Sequence, residues 1–237
     1  MSTVQTKNKS NWLLNFLSST IGRKLLMALT GTFLILFLLV HLIGNLQLLI
    51  PDDGKSFNEY AYFMGHNKFI QFVSIGNFFF IVLHIIVSIV LTLANQKARP
   101  VQYAYQAKDQ KSSAASRQMM VLGSIILLFL IMHLAHFWAK SKFGGLTDIE
   151  LTGGVKGHNL YAETVAVFKE WWIVAIYVVC MIGVAFHLLH GFQSAFQTFG
   201  LNHQKYTPLI KTVGLAFAIL VPFLYALIPL LIFIQNQ

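Results

Sequence analysis

Five long stretches without a single Asp, Glu, Lys or Arg set the limits on this fold: Leu25–Pro51, Phe69–Gln96, Gln118–Ala139, Trp171–Gln204 and Thr212–Gln237. A helix needs about 20 apolar residues to cross a bilayer, and every stretch is longer than that. The pattern predicts an all-α membrane protein. Its single domain is a bundle of five transmembrane helices over approximately 25–50, 69–96, 118–140, 171–198 and 209–234 (spans I–V), preceded by a cytoplasmic or interfacial segment 1–24. Charged residues make up only 11% of the 237, against about a quarter in soluble domains.

The first apolar run is longer than the roughly 7–15 residues of a signal-peptide core. It follows Arg23 and Lys24 and has no small-residue cleavage site, so it predicts a span and not a cleaved leader. Ahead of it, Trp12, Leu13, Leu14, Phe16 and Leu17 alternate with Asn and Ser, which suits a short helix at the membrane interface. Gly144-Gly145 and Gly153-Gly154 predict turns in the long segment Lys140–Glu170, and Trp171 and Trp172 stand at the mouth of span IV as interfacial aromatics do. Pro222 and Pro229 are tolerable in a membrane helix.

The net charge of +9 does not point to nucleic acid, because of where the charges lie. One side carries Lys7, Lys9, Arg23, Lys24, Lys97, Arg99, Lys108, Lys111, Arg117, Lys205 and Lys211, with Asp109 as its only acid. The other carries six basic residues and seven acids. Basic residues accumulate on the cytoplasmic side, so the N-terminus is expected inside and the C-terminus outside. Cys180 is the only cysteine, which rules out a disulfide, a Cys-ligated zinc site or an iron–sulfur cluster built by this chain alone. No C-x-x-C-H occurs, so a haem would be held noncovalently.

Six histidines fall inside the charge-free spans: His41 in I, His84 in II, His133 and His136 in III, His187 and His190 in IV. A lone intramembrane histidine often just bonds a neighbouring carbonyl. Six on four successive helices point to function, since ionisable groups at membrane depth are costly. Imidazole ligates haem iron, and no intramembrane carboxylate offers another metal site. Spans I and III run outward while II and IV run inward. At about 1.5 Å per residue, His41 and His133 fall at an outer level and His84 and His187 at an inner one, offset by roughly 10 Å. Topology thus expects two haems, one between His41 and His133 and one between His84 and His187. His136 and His190 each follow a proposed ligand by three residues, and spacing leaves open which member of each couple ligates.

The segments FLLVHLIGNLQ, FIVLHIIVSIVLTLANQKARP, LLFLIMHLAHFW and GVAFHLLHGFQSAFQTFG, with the N-terminal SSTIGRKLLMALTG, resemble the dihaem cytochrome b anchors of succinate dehydrogenases and fumarate reductases. The resemblance covers nearly the whole chain. It implies axial ligation by His41, His84, His133 and His187, which leaves His136 and His190 to bond a propionate, a quinone or the backbone. It also implies a flavoprotein subunit and an iron–sulfur subunit docked on the cytoplasmic side of a bacterial inner membrane, with electrons passing through two b haems to a quinone such as menaquinone. Related dihaem anchors serve formate dehydrogenases and hydrogenases. A haem-free transporter is a poorer match, for want of repeats and intramembrane acids.

Quinone chemistry requires a hydrogen-bonding pocket at a membrane edge. The expected place is near the outer haem, with Asn45, Gln47, Glu59, His66 or Trp138 taking part and Glu59 and His66 as natural proton carriers; Glu59 is the candidate catalytic residue. A second candidate lies on the inner side around Ser18, Ser19 and Arg23. Arg23, Lys24, Gln193 and Ser194 stand near the inner level as candidate partners of haem propionates, although Arg and Lys at a membrane edge commonly snorkel to lipid phosphate.

Overall fold

The computed structural model describes residues 11–98 and 118–237. Lys7, Lys9 and, from the expected basic loop, Arg99, Lys108, Asp109, Lys111 and Arg117 lie outside the described residues. Among those described, five helical segments are long and apolar enough to cross a membrane: Thr20–Leu49, Lys68–Lys97, Met119–Phe143, Trp171–Thr198 and Thr207–Gln235. The protein is a multi-pass, predominantly α-helical membrane protein.

Helix α1 (Trp12–Ser18) meets α2 (Thr20–Leu46) at one residue. The Ser19 hydroxyl donates to the Phe16 carbonyl at 2.6 Å and accepts the Gly22 N–H at 3.0 Å, closing one helix and capping the next. The fold-back is so tight that a Cβ on Gly22 would sit 2.0 Å from the Phe16 carbonyl oxygen. After a 3-10 turn (Gln47–Leu49), Asp53 and Gly54 adopt left-handed φ angles and the chain enters α3 (Lys55–His66). Asp52 accepts hydrogen bonds from the Ser56 hydroxyl, from the Ser56 N–H at 2.9 Å and from the Gly54 N–H at 3.1 Å, and these bonds hold its carboxyl below the usual value. Asn67 caps the long α4 (Lys68–Lys97), accepting from the Phe69 and Ile70 N–H groups.

Helix α5 (Met119–His133) runs into a π-helical turn (Leu134–Ala139) and a last helical turn, α6 (Lys140–Phe143). The predicted Gly-Gly turns frame a hairpin in which β1 (Asp148–Leu151) pairs antiparallel with β2 (Val155–His158), an element beyond the all-helical expectation. Helix α7 (Leu160–Phe168), α8 (Trp171–Thr198) and α9 (Thr207–Gln235) complete the chain. The α3 and α7 helices lie in the segments between the spans. They are locked together by the buried Asn58, whose amide donates to Asn159 Oδ1 at 3.1 Å and accepts the Tyr161 N–H at 3.0 Å.

Helices α8 and α9 form the spine of the bundle, with α2 and α4 packed to one side. Large apolar side chains such as Leu36, Phe72, Phe79, Leu128 and Val179 point outward along the spans, the surface that lipid would cover. Helix α5 is the least embedded, with Leu122 as its one buried residue, and it packs chiefly on α8. Pro222 and Pro229 are buried within α9. The Tyr225 hydroxyl of α9 donates to the Leu38 carbonyl of α2 at 2.7 Å, tying the last helix to the first span.

Candidate functional site

The chain's two ends of the bundle are distinct: the N-side, holding α1 and the α8–α9 turn, and the hairpin side, holding α3, β1, β2 and α7. Between them, α2 and α5 bring His41 and His133 together, with ring centroids 5.9 Å apart and planes at 89°. Closer to the N-side, α4 and α8 bring His84 and His187 together at 6.4 Å and 65°. All four histidines are half-buried. The partners are those that depth alone paired.

Two rulers give the distance between the levels. On α2, Thr30 touches His84, and His41 lies about 16 Å further along the axis at the helical rise. On α8, Tyr177 lies beside His133, and His187 lies about 15 Å further on. The expected 10 Å offset was therefore too small. The true helix ends at Thr20 and Lys97 lengthen both depths, so they account for only part of the difference.

The two pairs have the spacing of clamps for a six-coordinate iron. A metal–imidazole nitrogen bond is about 2 Å long. With the ring centre about 1 Å beyond that nitrogen, two imidazoles facing one metal from opposite sides place their centroids about 6 Å apart. Rotation about the shared axis is free, so both interplanar angles are compatible. Buried polar atoms without partners occur at His133 Nδ1 and His187 Nδ1. Among the described residues no three His, Cys, Asp or Glu side chains gather around a common point. Two imidazoles alone suit a metal whose other positions are already filled, as a macrocycle fills them.

The surroundings of the pairs differ. His41 stacks on Phe37 at 5.2 Å and lies 5.9 Å from Tyr225. His133 is flanked by Phe129 at 5.7 Å, Phe137 at 5.3 Å and Tyr177 at 6.1 Å. Around the other pair the neighbours are small: Gly31 faces His84, and Gly183 and Gly191 stand one helical turn before and after His187.

The remaining candidates divide by location. His136, re-aimed by the π-helical turn, faces the Tyr177 hydroxyl at 3.3 Å. It is near Lys140, whose ammonium pairs with Glu163 at 2.5 Å. His190 is half-buried one turn past His187. Arg23 is half-buried and Lys24 exposed at the N-side end of α2. Gln193 lines a cavity of about 270 Å³ with Gln197, Asn202, Thr207 and Lys211; Ser194 is half-buried beside it. Of the quinone candidates, Asn45 donates to the His41 carbonyl at 2.7 Å, and its amide nitrogen lies 3.4 Å from His41 Nδ1. Gln47 opens the 3-10 turn, and Trp138 packs between Phe78 and Phe143. Glu59 accepts the Thr152 hydroxyl from the hairpin. His66 is exposed, stacks on Tyr62 and bonds its carbonyl. Asn45 thus adjoins a histidine pair, whereas Glu59 and His66 are engaged with the extramembrane elements.

Several neighbours of the pairs carried no signal of their own in the sequence, Thr30, Tyr177 and Tyr225 among them. Thr30 was within reach, because an 11-residue spacing places it on the same helix face as His41. Comparison with known protein families, curated proteins and solved structures finds no match for this chain.

Proposed function

We propose that this chain is the cytochrome b membrane anchor of a bacterial succinate:quinone oxidoreductase. In this reading His41 with His133, and His84 with His187, are the axial ligands of two b haems. The observation that supports the haem half is geometric: two histidine pairs, each drawn from two different helices, at separations near 6 Å and at two levels of one membrane bundle; the succinate half rests on the resemblance of the helix segments. The haems supply one-electron redox chemistry. The chain fixes the ligand rings, holds the two levels apart and keeps bulk water out of the span between them.

The distribution of basic residues supports a cytoplasmic N-side. An iron–sulfur subunit carrying electrons from a flavoprotein would dock there, close to His84 and His187. Arg23, Lys24, Gln193 and Ser194 are candidates to bond carboxylates of the nearer haem. Quinone, menaquinone in this reading, binds at the hairpin side. Asn45 and Trp138 are the candidate residues nearest the haem ligands in the chain, and Glu59 moves protons between quinone and water; Gln47 and His66 are outlying members of the same site. The dihaem anchor of a formate dehydrogenase or hydrogenase would use the same haem chemistry with other partners.

A reduced-minus-oxidised spectrum and haem stoichiometry on the purified complex, with its co-purifying subunits identified, test this reading. Two b haems beside a flavoprotein and an iron–sulfur protein are expected. Absence of haem overturns the proposal, and haem beside a different catalytic subunit reassigns the partner.

A further inference from the structure

Among the described residues, His84 is the one paired histidine with a hydroxyl at its Nδ1. Thr30 Oγ1 lies 2.9 Å from that nitrogen, and Thr30 is fully buried in α2 at 0% exposure. The same oxygen is 2.8 Å from the Leu26 carbonyl and 3.1 Å from the Met27 carbonyl. A hydroxyl has one hydrogen, and carbonyls only accept. If that hydrogen pointed to His84, two carbonyl oxygens would face the lone pairs of the threonine at hydrogen-bonding distance with nothing between them. The hydrogen therefore belongs to the backbone of α2, and the oxygen accepts from His84. This puts the imidazole proton on Nδ1 and leaves Nε2 bare. Gly31 stands beside the same ring, where a Cβ would make only ordinary contact, 3.5 Å from His84 Cε1 and 3.9 Å from Nδ1.

We infer that Thr30 is a positioning residue that fixes the tautomer of His84 and makes its Nε2 the strongest donor among the four imidazoles. The inference rests on the haem reading for its redox consequence, and on the hydrogen-bond geometry alone for the tautomer. A metal-binding imidazole that donates its other N–H becomes more basic. Among the described residues the other three rings have no such acceptor. His133 Nδ1 and His187 Nδ1 have no partner, and His41 Nδ1 meets an amide nitrogen whose short bond goes to the His41 carbonyl. A more basic ligand favours ferric iron, so Thr30 lowers the potential of the haem nearer the N-side and leaves the other unchanged.

The test is a potentiometric titration of the whole complex carrying Thr30→Val or Thr30→Ser, with haem content measured in parallel. Valine keeps the shape and removes the acceptor; serine keeps the acceptor. With both haems retained, Thr30→Val is expected to shift one midpoint potential upward, and Thr30→Ser to match the wild type. An unshifted Thr30→Val overturns the inference. If valine costs the complex a haem, serine must retain it at the wild-type potential, and loss in both variants also overturns the inference. A wild-type complex without haem defeats the functional proposal instead. In that event nitrogen-15 spectra of histidine-labelled protein read the tautomer directly: His84 protonated at Nδ1 sustains the assignment, and His84 protonated at Nε2 ends it.

Discussion

The pair on the hairpin side sits in an aromatic cage, with Phe37, Phe129, Phe137, Tyr177 and Tyr225 within ring-contact range of His41 or His133. The N-side pair sits among glycines and is anchored by one hydroxyl. The ring separations, 5.9 and 6.4 Å, are nearly the same. The chain therefore brings two imidazoles to nearly the same separation twice, in different surroundings. Bulky rings flank the first two imidazoles, while in the second pair His84 is held by a directed hydrogen bond and His187 has no partner at its Nδ1. Two sites that agree in geometry and differ in surroundings can bind the same group and tune it differently.

The sharpest break of this comparison is to remove one ligand from each pair. His133→Leu is expected to halve the haem content and leave the His84–His187 centre, and His187→Leu to do the converse. A spectrum showing full haem in either variant would sink the pairing. Next in size, Glu59→Gln is expected to lower quinone turnover by about 100-fold, the scale of a lost general acid–base, with both haems intact. Unchanged turnover would remove Glu59 from the site.

Much of this was legible because membrane spans are written plainly in charge-free runs, and because alternating helix direction turns residue number into depth. His41 found His133 by that logic. Other features left no such mark. The α3 helix is a mixture of aromatic and polar residues without a charge-free run, and the hairpin has only four residues per strand. Thr30 looked like any hydroxyl that bonds its own helix, because it does so and serves His84 with the same oxygen. The π-helical turn after His133 is a matter of backbone register, which residue identity does not reveal.

Two smaller effects would sharpen the contrast by disturbing the hairpin side alone. A Cβ on Gly44 would stand 2.5 Å from the Tyr60 ring, so Gly44→Ala is expected to cost about 1–3 kcal/mol through overpacking. Thermal unfolding reads that cost, and redox titration should find the His84–His187 centre unmoved. The smallest effect concerns Asp52. Its carboxyl is held below the ordinary 3.8 by the bonds from Ser56, so the stabilisation it gives is complete above that value and disappears as pH falls further through the lowered one. Acid should loosen the start of α3 before it disturbs the N-side, and Asp52→Asn should abolish that difference. Hydrogen exchange across residues 52–60 measures both; identical acid profiles in the two proteins would exclude Asp52 as the cause.

Helix α5 lies at the margin of the bundle, with one buried residue and α8 as its main neighbour, yet it supplies His133 to a partner on α2. In the proposed reading, a cofactor bound there is a rivet between a peripheral helix and the first span. Without it, α5 would keep mainly its contacts with α8, so loading of the cofactor and docking of that helix would be one event.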